Sequence, residues 1–306
     1  MKISYGLQPD TLPASVVTLG MFDGVHRGHQ ALLSSCRRHA DRLGLPAVAL
    51  TYEPHPTRVL RPGAPLRLLT LLPEKLERLA RGGMDQVVVA EFTIAFSQLA
   101  AEEYLGVLVA ALHPRLVVAG YRTTFGRGRG GSPEVLREIG AAHGFEVEIV
   151  EPVIIAGDPV SSSHIRECLD HGDVERAAVL LGYHYGLTGM VTVGDRRGRQ
   201  LGIPTANLDV PVEKLVPADG IYVVDACVAG GVTHRAVMSI GPRPVFNRPR
   251  ALEVHLLDFN ADLYHQPLTI TFLRRLRDIR AFPDPQALVA QIHEDIAQAR
   301  AISDVL

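Results

Sequence analysis

The chain has 306 residues, 47% hydrophobic and 21% charged, with a formal net charge of −2. That length suits two domains better than one core, and the composition excludes a disordered chain. The near-neutral balance offers no basic footprint for nucleic acid or an anionic membrane, and apolar runs such as residues 104–112 fall well short of the ~20 residues of a membrane span.

Residues 1–10 lack the basic-then-apolar order of a secretory signal, so a cytoplasmic protein is expected. Short apolar runs at 16–19, 47–52, 86–92, 116–119 and 145–150 read as strands. Helical patterns alternate with them at 29–43, from Pro73 to the Gly82-Gly83 pair, from near Ser97, and over 132–143. In the last of these Ser132 is placed to cap, Pro133 suits the first turn and Gly144 the stop. Strands alternating with helices predict a parallel sheet. After Leu181 the texture changes: strand-like runs at 187–193, 221–228, 235–240, 252–258 and 268–273 follow one another, with glycine and proline between them. That predicts an antiparallel barrel or sandwich. A last helix is expected from Pro285, capped by Asp284, with Leu288, Ile292 and Ile296 on one face. The expected domains are 1–184 and 185–306. Cys36, Cys168 and Cys227 are scattered and odd in number, which fits neither a disulfide framework nor a zinc site but free thiols in a reducing compartment.

The turn after the first expected strand reads Gly20-Met21-Phe22-Asp23-Gly24-Val25-His26-Arg27-Gly28-His29. A helix N-terminus at the carboxyl end of a parallel strand offers free N–H groups and partial positive charge, and glycines let a phosphate come close. His26 and His29 are placed to donate to phosphate oxygens as charge builds. Alone, such a histidine pair would more often be a surface pair or part of a metal site. Farther on, Ser161-Ser162-Ser163-His164-Ile165-Arg166 supplies hydroxyl donors and a fixed cation suited to pyrophosphate. Together the two segments resemble the H-x-G-H nucleotidylyltransferase superfamily, with Phe22, Asp23, Gly24, Ser162, Ser163 and Arg166 as phosphate-binding residues. Tyr52-Glu53-Pro54-His55-Pro56, Gly126-Arg127-Gly128-Arg129-Gly130-Gly131 and Leu180-Leu181-Gly182 narrow the resemblance to the adenylyltransferase half of bacterial bifunctional riboflavin kinase/FAD synthetases. FMN's phosphate is already an anionic nucleophile, so that site needs positioning and charge rather than a base. Arg122 and Thr123 depart from the pattern, standing where the family usually has an acid or amide followed by Phe.

The second half carries Gly189-Met190-Val191-Thr192-Val193-Gly194, then Gly198-Arg199-Gln200-Leu201-Gly202-Ile203-Pro204-Thr205-Ala206-Asn207. It is no Walker loop, yet Gly194, Gly198 and Gly202 let the backbone wrap a nucleotide. Thr205 and Asn207, two apart on an extended segment, put two oxygens on one side, as Mg²⁺ shared with phosphates prefers. Singly, both would be turn residues. The whole string, with Gly220-Ile221-Tyr222 after it, closely resembles the riboflavin kinase signature. In 251–259 the alternation places Leu252, Val254 and Leu256 on one face, Glu253 and His255 on the other. The resemblance implies that Glu253 is the base that a riboflavin hydroxyl needs, and gives His255 no more than a structural role. Val245, Ile279 and Ala281 replace residues common in the family.

The resemblance covers residues 16–299. It implies a Rossmann-like domain, a six-stranded Greek-key barrel with a C-terminal helix, and riboflavin, FMN and ATP as substrates with Mg²⁺. The charge balance calls for no nucleic-acid or membrane partner, and the sequence leaves the oligomeric state open. Two alternatives stay open: a kinase with lost or altered adenylylation, and a non-catalytic flavin or nucleotide sensor. A sensor would be free to lose Thr205, Asn207, Glu253, His26 and His29, and all five are present.

Overall fold

The computed structural model describes residues 1–193, 202–242 and 250–302. They form two compact units, Met1–Ser162 and Ser163–Leu306. The first holds β1 (Lys2–Tyr5), β2 (Ser15–Leu19), α1 (Arg27–Leu43), β3 (Ala47–Glu53), α2 (Pro56–Leu60), α3 (Leu72–Arg81), β4 (Gln86–Glu91), α4 (Ile94–Ser97), α5 (Ala101–Leu112), β5 (Pro114–Gly120), α6 (Pro133–His143) and β6 (Glu146–Val150). A two-stranded ribbon, β7 (Ile154–Ile155) with β8 (Asp158–Pro159), follows.

The six long strands are parallel, in the order β1-β4-β3-β2-β5-β6. Strands covered on both faces read as continuous apolar runs rather than alternations, and all five residues of β2 are buried. Val17, Val48 and Leu50 pack with Leu105 and Leu108 of α5 on one face. Val16, Ala47 and Ala49 pack with Leu33 and Cys36 of α1 and with Leu76 and Leu79 of α3 on the other. From β2 the chain builds β3 and β4 to one side, then β5 and β6 to the other. The carboxyl end of β2 is therefore a topological switch point, where open α/β sheets form their crevices.

The five expected strands are present, and Ser132 caps α6 through the Val135 N–H. Sequence reading missed β1, a short and mostly exposed edge strand. The helix expected from Ser97 begins instead at Ala101. Ser97 ends the single turn of α4, its hydroxyl donating back to the Ile94 carbonyl, and the Glu103 carboxylate accepts from the Ala100 N–H to fix the start of α5.

The second unit contains α7 (Ser162–Asp170, its first residue in the first unit), α8 (Val174–Leu181), β9 (Gly186–Thr192), β10 (Ala206–Asp209), β11 (Gly220–Cys227), β12 (Thr233–Pro242), β13 (Arg250–Leu256), β14 (Pro267–Arg277) and α9 (Pro285–Ala301). Its strands close an antiparallel barrel in the order β10-β13-β12-β11-β14-β9. β11, β12 and β13 form a meander and β14 returns beside β11, which is a Greek key. Asp284 caps α9, whose Ile296 and Ala299 pack on Ile221, Val223 and Leu273. Asp295, buried on the same helix, is held by the Arg277 guanidinium at 2.6 and 3.0 Å. All three cysteines are free, and burial pushes the Cys36 thiol up to about 12.

Candidate active sites

In the first unit, β2 ends at Leu19 and the chain turns through residues 20–26 into α1. The turn is strained. Phe22 (φ 49°) and Val25 (φ 36°) lie in the left-handed region that side chains avoid, and such conformations persist where the surroundings over-determine them, often at functional sites. Here the surroundings are the core, since both side chains are buried in it. Gly24 (φ 83°) meets the same demand without a Cβ. Asp23 is buried, and its carboxylate accepts from the Thr70 backbone N–H at 3.0 Å; the Thr70 hydroxyl in turn accepts from the Gly24 N–H at 2.9 Å. Phe22 and Asp23 thus have their side chains turned inward and shape the turn.

His26 caps α1: its Nδ1 accepts from the His29 N–H at 3.4 Å, which leaves Nε2 to carry the proton of the neutral ring. The His29 ring stacks on His26 with centroids 3.7 Å apart and meets Phe22 edge-on at 5.3 Å. A Cβ on Gly28 would stand 3.1 Å from the His26 ring, so glycine leaves that ring its room. Burial, with lesser contributions from His26 and Lys75, holds the His29 pKa well below the ordinary imidazole value. His29 is therefore a neutral donor at pH 7. Its Nδ1 is buried with no hydrogen-bond partner among the described residues.

Ser162 joins this turn, its hydroxyl donating to the Asp23 carbonyl at 2.8 Å. Ser163 and Arg166 follow on α7, in the second unit. Thr123 closes the turn after β5, its hydroxyl accepting from the Gly120 N–H at 2.9 Å. Arg122 is exposed, with its guanidinium 5.2 Å from the centre of the Tyr121 ring.

In the second unit, the barrel's register creates the site. β10 pairs with β13 so that Asn207 stands directly opposite Glu253, and Thr192 of β9 is Asn207's partner on its other side. Directly paired residues project to the same face. Leu252, Val254 and Leu256 are buried while Glu253 and His255 are half-buried, the alternation expected from sequence. Asn207 is 8% exposed, so its amide is shielded from water. His255 donates Nδ1–H to the Pro204 carbonyl at 2.8 Å, since a carbonyl can only accept. That bond pins the chain beside Thr205. A cavity of about 410 Å³ opens there, lined by Val191, Pro204, Thr205, Val254, Asn260 and Tyr264. It is within the usual size of a small-molecule site. Gly202 (φ 75°) is exposed just before this segment, whereas Gly194, Gly198 and Val245 lie outside the described residues.

No group of three or more His, Cys, Asp and Glu is placed to hold a metal among the described residues. The hydroxyl of Thr205 and the amide oxygen of Asn207 are hard donors of the kind that Mg²⁺ shared with phosphates accepts.

Sequence reading missed Lys75. It lies on α3 beside Leu76 and Leu79, 4% exposed, and its Nζ reaches the Thr51 hydroxyl at 3.5 Å. A signal was there: Leu72, Lys75, Leu76 and Leu79 have the spacing of a core-facing stripe, and a lysine inside one is out of place. Thr70, which holds Asp23, belongs to no motif and gave no signal.

A family model described as FAD synthetase matches residues 8–164, and one described as riboflavin kinase matches residues 181–303. The chain is 37% identical to the bifunctional riboflavin kinase/FMN adenylyltransferase of Listeria monocytogenes, over 94% of this chain and 91% of the relative. The enzyme of the same name from Bacillus subtilis is 35% identical, over 93% and 91%, and that from Pseudomonas fluorescens 37%, over 94% and 93%. The fold matches a Streptococcus pneumoniae crystal structure described as a macrolide-efflux protein, with a TM-score of 0.91 and 32% identity over 99% of this chain and 100% of that one. No helix among the described residues is long and apolar enough to cross a membrane. With both family models matched and similarity spanning nearly the whole length, the chain belongs to the bifunctional riboflavin kinase/FMN adenylyltransferase family.

Proposed function

We propose that this chain phosphorylates riboflavin with ATP to give FMN, and adenylylates FMN with a second ATP to give FAD and pyrophosphate. Residues 185–306 carry the first reaction and residues 1–184 the second. One observation carries the kinase half: the barrel register sets Asn207 against Glu253, with Thr205 beside them. Glu253 takes the proton of the riboflavin hydroxyl as its oxygen attacks the γ-phosphorus of ATP, the bond from that phosphorus to the bridging oxygen breaks, and ADP leaves. Thr205 and Asn207 would hold the Mg²⁺ that the nucleotide brings, which when bound would neutralise charge developing on the phosphate oxygens. His255 keeps Thr205 in place through Pro204. The cavity beside Thr205 gives the nucleotide room, and Gly194, Gly198 and Gly202 are assigned to its phosphates.

In the other half the FMN phosphate oxygen attacks the α-phosphorus of ATP and pyrophosphate leaves. No proton needs removal, so the site has donors instead of a base. His26, through Nε2–H, and neutral His29 donate to the phosphate oxygens in the transition state. Phe22, Asp23 and Gly24 shape the turn that takes the phosphates, Ser162 is tied to that turn through the Asp23 carbonyl, and Ser163 and Arg166 are assigned to the departing pyrophosphate. The substrates are small molecules, with no nucleic-acid or membrane partner, and the setting is the cytoplasm. Incubating the purified protein with riboflavin, ATP and Mg²⁺ and separating riboflavin, FMN and FAD by chromatography tests the reading. FMN followed by FAD is expected; FMN alone would leave only the kinase, and neither product would leave a binding protein.

A further inference from the structure

A buried charge is costly unless it is paired and fully hydrogen-bonded. Lys75 meets that condition poorly. Its ammonium has three protons to donate and, among the described residues, makes one hydrogen bond, to Thr51, at the long limit of 3.5 Å. Thr51 in turn donates to the Met21 carbonyl at 3.3 Å, so the lysine is connected to the back of the turn between β2 and α1. Asp23, whose charge attracts Lys75, already has its carboxylate committed to Thr70. Glu53, at the end of β3, is the other carboxylate that acts on it. Burial lowers the Lys75 pKa, and these two carboxylates oppose that shift. On the same turn the Nδ1 of His29 is buried without a partner, and Lys75 is near enough for its charge to disfavour protonation of that ring. Two under-satisfied groups, one a cation, therefore flank a single turn at the switch point of the sheet. An anion arriving at the turn would use both.

We propose that Lys75 is a positioning residue of the adenylyl-transfer site: its buried ammonium braces the turn from behind through Thr51 and supplies the positive charge that draws the triphosphate of ATP onto the histidine pair. This rests on the assignment of adenylyl transfer to the first unit. The lysine provides charge by its field while His29 stays a neutral donor, so the site gains attraction for phosphate without a second cation in the ring stack.

The test uses the full chain and three variants, Lys75→Met, Lys75→Arg and Thr51→Val, with FAD formation measured against ATP at saturating FMN. Lys75→Met should raise the ATP KM about tenfold or more with a smaller change in kcat, the scale of one charge-assisted contact. Lys75→Arg should recover most of that loss, and Thr51→Val should raise the KM a few-fold by releasing the brace. Binding of Mg²⁺ with a non-hydrolysable ATP analogue should weaken in parallel, while riboflavin phosphorylation in each variant stays at the wild-type rate. An ATP KM within about twofold of wild type in Lys75→Met, or an Arg variant no better than Met, overturns the proposal. Should Lys75→Met lose its cooperative melting transition, Thr51→Val decides, and an unchanged KM there overturns it equally. If the unsubstituted protein makes no FAD from FMN, the functional assignment itself fails, a result separate from any of these.

Discussion

The two units solve phosphate chemistry in opposite ways. In the parallel-sheet unit the candidate site is a strained turn with a stacked histidine pair, joined through Thr51 to the buried Lys75. In the barrel it is a face of paired strands bearing the side-chain oxygens of Asn207 and Glu253. The nucleophiles explain the difference. FMN's phosphate arrives ionised and needs only donors and positive field, which a helix N-terminus supplies. Riboflavin's hydroxyl must lose a proton, which in the proposed reading is the task of Glu253, set opposite Asn207.

The comparison breaks most visibly at His29. His29→Ala removes a donor aimed at the reacting phosphates and should lower FAD formation by ~10²–10³-fold, with FMN accumulating from riboflavin at the normal rate. Chromatography of the products over time checks this, and equal loss of both activities in a folded variant would mean that the sites are not independent. Glu253→Gln keeps the shape and removes the proton acceptor. FMN formation should fall by ~10²-fold while FAD formation from supplied FMN continues. A variant phosphorylating riboflavin at nearly the wild-type rate would exclude Glu253 as the base.

These two sites were not equally legible in sequence. The β2 strand, the turn and α1 could be read because they are contiguous: an apolar run, glycines and a helical pattern follow one another. The facing of Asn207 and Glu253 could not, because closure of the barrel sets it between strands far apart in the chain. β10 has four residues, too few for alternation to announce it. On β13 the alternation was long enough to place Glu253 opposite the buried face. Lys75 was readable as an anomaly in the α3 stripe, but its link to Met21 runs through Thr51 on another strand, and only the fold brings them together. The contribution of Ser162 depended likewise on a long-range bond, to the Asp23 carbonyl.

Smaller effects sharpen the contrast. Asn207→Ala should raise the Mg²⁺ concentration needed for half-maximal riboflavin phosphorylation by roughly tenfold. Adenylylation at the same Mg²⁺ concentrations should be little affected by it, and a Mg²⁺ titration of both activities separates the outcomes. A kinase half-point that does not move would remove Asn207 from the metal site. Arg122, exposed and without an ion pair among the described residues, is free to meet FMN's phosphate in bidentate fashion. Arg122→Asp should then raise the FMN KM and lower kcat/KM for FAD formation severalfold, the scale of one charged contact. Improved kcat/KM would show instead that an acid is wanted there.

If each site works alone, FMN made at one can reach the other through solution, and complementation measures this. Each of His29→Ala and Glu253→Gln should make almost no FAD from riboflavin, ATP and Mg²⁺. Mixed in equal amounts they should make it after a lag, at a rate approaching the wild-type rate, because FMN released by the first is adenylylated by the second. A mixture that stays inactive, while each variant keeps its own single activity, would mean that FMN does not pass between the two sites through solution.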